Sequence, residues 1–128
     1  MQTDPRLILE QWMQAVNSAD VAALLQLYDT DAVLIPTFSN RVRNTPEKLR
    51  DYFEQLAKRP ELSIALHEKT LTTQDLSNQI FALGGIYNWR FAVDGEVLNF
   101  EARFSYVLNL NKPSPILHHH SSQIPRTL

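Results

Sequence analysis

Cysteine is absent from this sequence, and that absence removes disulfide bridges, thiolate metal centres and cysteine nucleophiles together. No apolar run approaches the roughly 18 residues that a membrane span requires. The opening Met1-Gln2-Thr3-Asp4-Pro5 has neither the basic nor the apolar region of a signal peptide. No long run of either charge occurs, and the formal net charge is -2, so neither nucleic acid nor a membrane surface is expected as the main partner. These absences lead to the expectation of a soluble, cytoplasmic protein. What is present is ordinary globular composition, 44% hydrophobic and 20% charged over 128 residues, enough for a single domain, 1–128, with a substantial core.

Helix starts are written in capping chemistry. Asp4-Pro5 reads as an N-cap followed by proline at the first helical position, where its missing N–H costs nothing. Leu7, Ile8, Trp12, Ala15 and Val16 then recur at helical spacing to about Asn17. Asn17-Ser18-Ala19-Asp20 interrupts the pattern, and Asp20 caps a shorter helix carrying Val21, Leu24, Leu25, Leu27 and Tyr28. Ala32-Val33-Leu34-Ile35 is β-branched and apolar, a buried strand ended by Pro36 and followed by an irregular polar segment, 37–43. Thr45-Pro46-Glu47 opens a third helix, with Leu49, Tyr52, Phe53 and Leu56 on one stripe, that stops near Arg59-Pro60.

Beyond Leu62 the pattern changes to strands, expected over roughly 62–72, 79–91, 96–109 and 115–124. Asp94-Gly95 is a hairpin signal, and Asn111-Lys112-Pro113-Ser114 turns the third of these strands into the fourth. Helices followed by an antiparallel meander make an α+β arrangement.

The last strand carries Ile116-Leu117-His118-His119-His120-Ser121-Ser122-Gln123-Ile124-Pro125. Three histidines are too few for a purification tag, and apolar residues flank them closely. Strand alternation places Leu117, His119 and Ser121 on one face and Ile116, His118, His120 and Ser122 on the other. One face can line a pocket while the other packs outward. His118 and His120 face the same way, yet zinc needs three or four converging ligands. His67 lies on a different strand and no carboxylate has an evident ligand spacing, so neither a metal nor another cofactor is expected. The outward pair is instead expected at a dimer contact with Trp89 and Tyr87.

This order of elements, with its histidine-rich ending, resembles the NTF2-like (cystatin-like) superfamily, and within it the group related to the association domain of calcium/calmodulin-dependent protein kinase II. Leu34-Ile35-Pro36-Thr37-Phe38-Ser39-Asn40, Arg43, Asp51-Tyr52-Phe53 and the His-His-His-Ser-Ser run also resemble the iota class of carbonic anhydrases. The resemblance implies a cone, with the N-terminal helices packed on a curved antiparallel sheet, a pocket between the sheet and the third helix, and a homodimer built sheet against sheet. It further implies carbon dioxide or bicarbonate held by hydroxyl groups without a metal: Thr37, Tyr52 and Ser121, with His119 beside Ser121 and Ser39 as a further ligand-binding group. The association domain's Glu-Thr-Arg motif matches Glu101-Ala102-Arg103, which implies that Arg103 points inward with Ser121. Two of that domain's pocket arginines are absent, which argues against a strongly anionic ligand.

Hydration of carbon dioxide needs an activated water, donors for the developing negative charge and a route for a proton. Thr37 and Ser121 can accept and donate, Tyr52 can donate, Arg103 can supply positive charge, and His119 titrates near neutrality. Structural roles compete at each position. Tyr52 sits on an apolar helix stripe, Thr37 can stabilise a turn, and Glu101 can pair with Arg103. Two other functions stay open: a non-catalytic association domain binding a small acid or mediating assembly, and a SnoaL-like isomerase or cyclase with His119 as its base. Fold alone cannot choose among them.

Overall fold

The computed structural model describes residues 4–125. Its elements are α1 (Pro5–Asn17), α2 (Val21–Leu27), β1 (Tyr28–Ile35), α3 (Pro46–Ala57), β2 (Ser63–Leu66), β3 (Thr72–Asp75), β4 (Ile80–Val93), β5 (Glu96–Asn109) and β6 (Ile116–Gln123). This is the α+β, NTF2-like arrangement, three helices on a six-stranded sheet. The caps work as their residue types require: Asp4 accepts from the Arg6 N–H at 2.9 Å, Asp20 from Ala23 at 3.0 Å and Thr45 from Lys48 at 3.2 Å. Among the described residues no helix is long and apolar enough to cross a membrane.

The strand order is β1-β6-β5-β4-β2, with β3 also bonded to β4. Every pairing is antiparallel except β1 with β6, which is parallel and corrects the expected all-antiparallel sheet. With one edge of β6 bonded to β5, its other edge is left for β1. That pairing reaches back to Tyr28, matched with Ile116. Tyr28, expected on the second helix, therefore leaves helical geometry (φ -97, ψ 131) and opens β1 as a buried residue.

The expected strand over 62–72 is two strands. β2 pairs with Tyr87 to Arg90 and β3 with Phe81 to Gly84, and a 3-10 turn, Glu68–Thr70, stands between them. Thr70 Oγ1 accepts from the Ile86 N–H at 2.8 Å and so covers the gap in the ladder. Gly85 makes this approach possible, because a Cβ there would lie 3.1 Å from Thr70 Oγ1 and 3.2 Å from the Phe104 ring. Gly85→Val is expected to destabilise the fold by about 1–3 kcal/mol, measured as a fall in the urea midpoint at unchanged m-value.

Asp94 and Gly95 both have positive φ, 52° and 81°, the two-residue turn that fits strand twist. It locks Tyr87 opposite Ala102 and Trp89 opposite Phe100. Tyr87 and Trp89, expected at an outer dimer contact, are consequently turned inward, 0% and 2% exposed. A bulge changes the phase of β6 as well: Leu108 pairs with Ile116 and Val107 with His118, which leaves Leu117 unpaired. Ile116, expected on the outer face, is buried with His119 and Ser121, whereas His120 stays exposed. The buried stripe of α1, led by Ile8, Leu9 and Trp12, and that of α3, Leu49, Tyr52, Phe53 and Leu56, belong to the same core.

Candidate active site

A narrow cavity of about 10 Å³ lies where β6, β4, α3 and the loop after β1 meet, walled by Thr37, Tyr52, Tyr87, Trp89, His119 and Ser121 with Trp12, Leu34, Pro36 and Phe53. That volume admits about one water-sized molecule. Grooves of about 380 to 560 Å³ open on the outer surface, but the narrow cavity is the one that gathers His119, Ser121, Tyr87 and Tyr52.

Backbone geometry explains how residues distant in sequence arrive here. Pro36 ends β1, and the loop behind it is cinched by a pair of backbone bonds, Leu34 N–H to Arg43 C=O at 2.9 Å and Arg43 N–H to Leu34 C=O at 2.8 Å. The closure holds Thr37 against β6, where its hydroxyl hydrogen-bonds that of Ser121. Phe38 anchors the loop edge-on against Trp89, Phe91 and Phe100, at centroid distances of 5.5, 5.2 and 5.5 Å. Its N–H donates to Tyr52 Oη at 3.4 Å, a long bond. Burial pushes the Tyr52 hydroxyl up to about 12, so Tyr52 is a neutral donor at physiological pH.

His119 sits at the centre of a buried chain of hydrogen bonds. Tyr28 Oη lies 2.8 Å from Nδ1 and Tyr87 Oη 3.1 Å from Nε2, while the Tyr106 ring stacks on the imidazole at 3.9 Å. At the far end the Trp12 indole N–H donates to Tyr28 Oη at 3.0 Å. Indole can only donate, and the arrangement that then gives the buried Tyr28 hydroxyl proton an acceptor runs in one direction. Tyr28 accepts from Trp12 and gives its own proton to Nδ1. Neutral His119 then carries hydrogen on Nε2 and donates to Tyr87, whose hydroxyl proton is free to point toward the facing Ser121 and Thr37. Desolvation, followed by the neighbouring His118 and His120, drives the His119 pKa well below 6.5. Burial likewise lifts the Tyr28 and Tyr87 hydroxyls well above their ordinary values. Every member is therefore uncharged near neutrality.

Thr37, Tyr52, His119 and Ser121 thus share one cavity, but two other expected site residues lie elsewhere. Arg103 pairs with Ser122, not with Ser121, which is opposite Phe104. Opposed residues share a face, so Arg103 is exposed on the outer side of the sheet. Ser39 is outside the cavity too, accepting from Arg43 Nη2 at 3.0 Å. Sequence reasoning missed Trp12, Tyr28, Tyr87 and Trp89. The indole N–H of Trp89 is buried with no partner among the described residues. Alternation of Tyr87 and Trp89 along one strand was the available signal, and only the hairpin register says which side they take. Among the described residues no three of His, Cys, Asp or Glu gather as metal ligands, and both nitrogens of His119 are engaged by tyrosines.

Comparison with known proteins agrees with this architecture. The family described as SnoaL-like domain matches residues 6–127. A calcium/calmodulin dependent protein kinase II association domain, so assigned from Xanthomonas campestris, superposes with a TM-score of 0.85 at 25% identity, over 95% of this chain and 86% of that one. A ketosteroid isomerase-like protein from Erwinia carotovora atroseptica superposes at 0.77 with 13% identity, over 94% of each chain. A protein assigned as a dehydratase of the NTF2-like family from Streptomyces avermitilis does so at 0.78 with 14% identity, again over 94% of each. The last two establish the fold alone. No curated protein matches the sequence.

Proposed function

The chain belongs to the SnoaL-like domain family, and from that premise we propose that it hydrates carbon dioxide to bicarbonate at the Thr37 and Ser121 hydroxyls, as a metal-independent enzyme of the iota carbonic anhydrase kind. The observation that carries this reading is the size of the cavity together with its lining. A cavity of about 10 Å³ walled by Thr37, Tyr52, Tyr87 and Ser121 holds about one water-sized molecule, so the second reactant enters only as the Thr37 and Ser121 side chains part. It leaves no room for the carbon skeleton that an isomerase or cyclase must hold.

In this reading the Thr37 and Ser121 hydroxyls turn from each other to the reactants. The water oxygen bonds to the carbon of carbon dioxide as one C=O π pair moves onto its oxygen. A water proton passes to one hydroxyl while that hydroxyl gives its own proton to the carboxyl oxygen. The immediate product is carbonic acid, which ionises to bicarbonate and a proton on reaching water. The step is balanced without a base that titrates near neutrality. Tyr52 donates toward the developing charge and the Trp89 indole adds a second donor. His119 is a positioning residue: neutral and saturated, it holds Tyr87 as a donor toward the hydroxyl pair, in place of the proton-accepting role expected of it.

The reading also carries a second copy of the chain on the outer sheet face, beside His118, His120, Ile86 and Val107, which light scattering of the purified protein measures. Stopped-flow measurement of carbon dioxide hydration with excess chelator tests the activity. Catalysis that persists in chelator is expected. Hydration no faster than in buffer would remove the enzyme and leave a non-catalytic association domain.

A further inference from the structure

Tyr52 has a second side. It also lines an outer groove of about 380 Å³ between the 36–43 loop and α3, with Ser39, Asn40, Gln55, Arg43 and Arg59. Two guanidinium groups thus border the groove, and no carboxylate is among its lining residues. Arg43 is largely buried, its side chain 13% exposed. It spends Nη1 on Asp51 at 2.9 Å and on the Lys48 carbonyl at 3.2 Å, and Nη2 on Ser39. Its Nε–H is buried with no partner among the described residues, a donor that costs free energy until something accepts from it. Its guanidinium also lies 5.6 Å from the centre of the Tyr52 ring. Arg59 is exposed, rests on Phe91 at 5.1 Å and has no ion-pair partner among the described residues. Asp51 offsets the charge of Arg43, so the charge of Arg59 is the uncompensated one.

The two spaces share Tyr52 as a wall, yet their chemistry differs. An uncharged gas gains nothing from guanidinium groups, whereas the bicarbonate that carbonic acid yields on reaching water in the groove does. We propose that the groove is an exchange site for a small monovalent oxyanion, bicarbonate, held by the exposed guanidinium of Arg59 on the side of the groove that Arg43 also borders, as it passes Tyr52. This rests on the carbon dioxide reading for the identity of the anion, but not for the existence of the site.

The test is a titration of the full chain with 13C-bicarbonate, followed through the arginine Nε–H resonances in 1H–15N spectra, against sodium chloride at equal ionic strength. Saturable shifts of the Arg59 signal are expected with bicarbonate and not with chloride. Arg59→Gln is expected to weaken the apparent Kd by about threefold to tenfold, the scale of one partly screened charge, and Arg59→Lys to recover most of it. Ser121→Ala, which removes a cavity hydroxyl, should leave the arginine shifts in place. Absence of saturation, equal shifts with chloride, or an Arg59→Gln protein that binds as well as the wild type would each overturn the proposal. If the shifts appear in a protein that does not hydrate carbon dioxide, the groove stands and the catalytic reading falls; active protein without them gives the reverse result.

Discussion

Ser121→Ala is expected to lower kcat/KM for the proposed carbon dioxide hydration by about a hundredfold, the ordinary weight of one positioned proton-transfer or oxyanion group. Ser121 is 2% exposed and its hydroxyl is bonded to that of Thr37, so the substitution removes one oxygen and little packing. The loss of stability should stay within about 0.5–1.5 kcal/mol, because the half-buried Thr37 can turn to water. Thr37→Val is expected to act like Ser121→Ala. The double variant should be scarcely worse than either single one, since two hydroxyls that form one proton path fail together. Stopped-flow rates, paired with thermal melts of the same preparations, check both halves. A double variant whose losses multiply would show that the hydroxyls act separately, and the concerted transfer would have to be abandoned.

The second large effect is on stability, and it depends on pH. The folded protein holds His119 with a pKa well below 6.5 because burial penalises its charged form, whereas the unfolded chain takes up a proton at about 6.5. On acidification the unfolded state binds that proton first. The contribution of neutral His119 is therefore complete above about pH 6.5 and erodes as pH falls from there toward the folded-state value, at up to about 1.4 kcal/mol per pH unit. Asp29 and Asp51 contribute in a lower window. Asp29 is held below its ordinary value chiefly by the Asp31 N–H and Asp51 chiefly by Arg43, so what they add is lost as pH falls through 3.8 and below.

Urea unfolding measured between pH 7.5 and 5 separates the histidine from these carboxylates. His119→Phe should flatten that part of the profile. It should also cost about 2–4 kcal/mol at pH 7.5, by leaving the Tyr28 hydroxyl proton without an acceptor and the Tyr87 oxygen without a donor. His119→Gln, which keeps a donor and an acceptor, should lose less at pH 7.5 while flattening the profile equally. Imidazole 15N shifts read the tautomer directly: hydrogen on Nε2 is expected in the wild type. Hydrogen on Nδ1 would reverse the chain of donors and detach Tyr87 from its proposed role.

Much of this molecule was legible before any coordinates. Asp4-Pro5, Asp20 and Thr45-Pro46 announce the helices because capping is settled within four residues of chain. Asp94-Gly95 announces its hairpin because few other pairs accept positive φ in succession. Strand alternation placed His119 and Ser121 on one face, and the family resemblance added Thr37 and Tyr52. Ile116 went wrong because one unpaired residue, Leu117, shifts the register of β6 with no local mark in the sequence. Arg103, turned inward by the family resemblance, went wrong because the β4–β5 register sets it opposite Ile86, on the face away from Tyr87 and Ala102.

The sequence by itself determined where the helices begin, that strands follow them, and which residue types were available for chemistry, since each of these depends on interactions a few residues long. Only the tertiary structure decided that Trp12, Tyr28 and Tyr87 join His119, that Arg103 faces outward, and that the space at Ser121 is no larger than a small molecule. Those outcomes depend on hydrogen bonds and packing between segments far apart along the chain, as from Tyr28 to His119, and such contacts exist only once the sheet has closed over the helices.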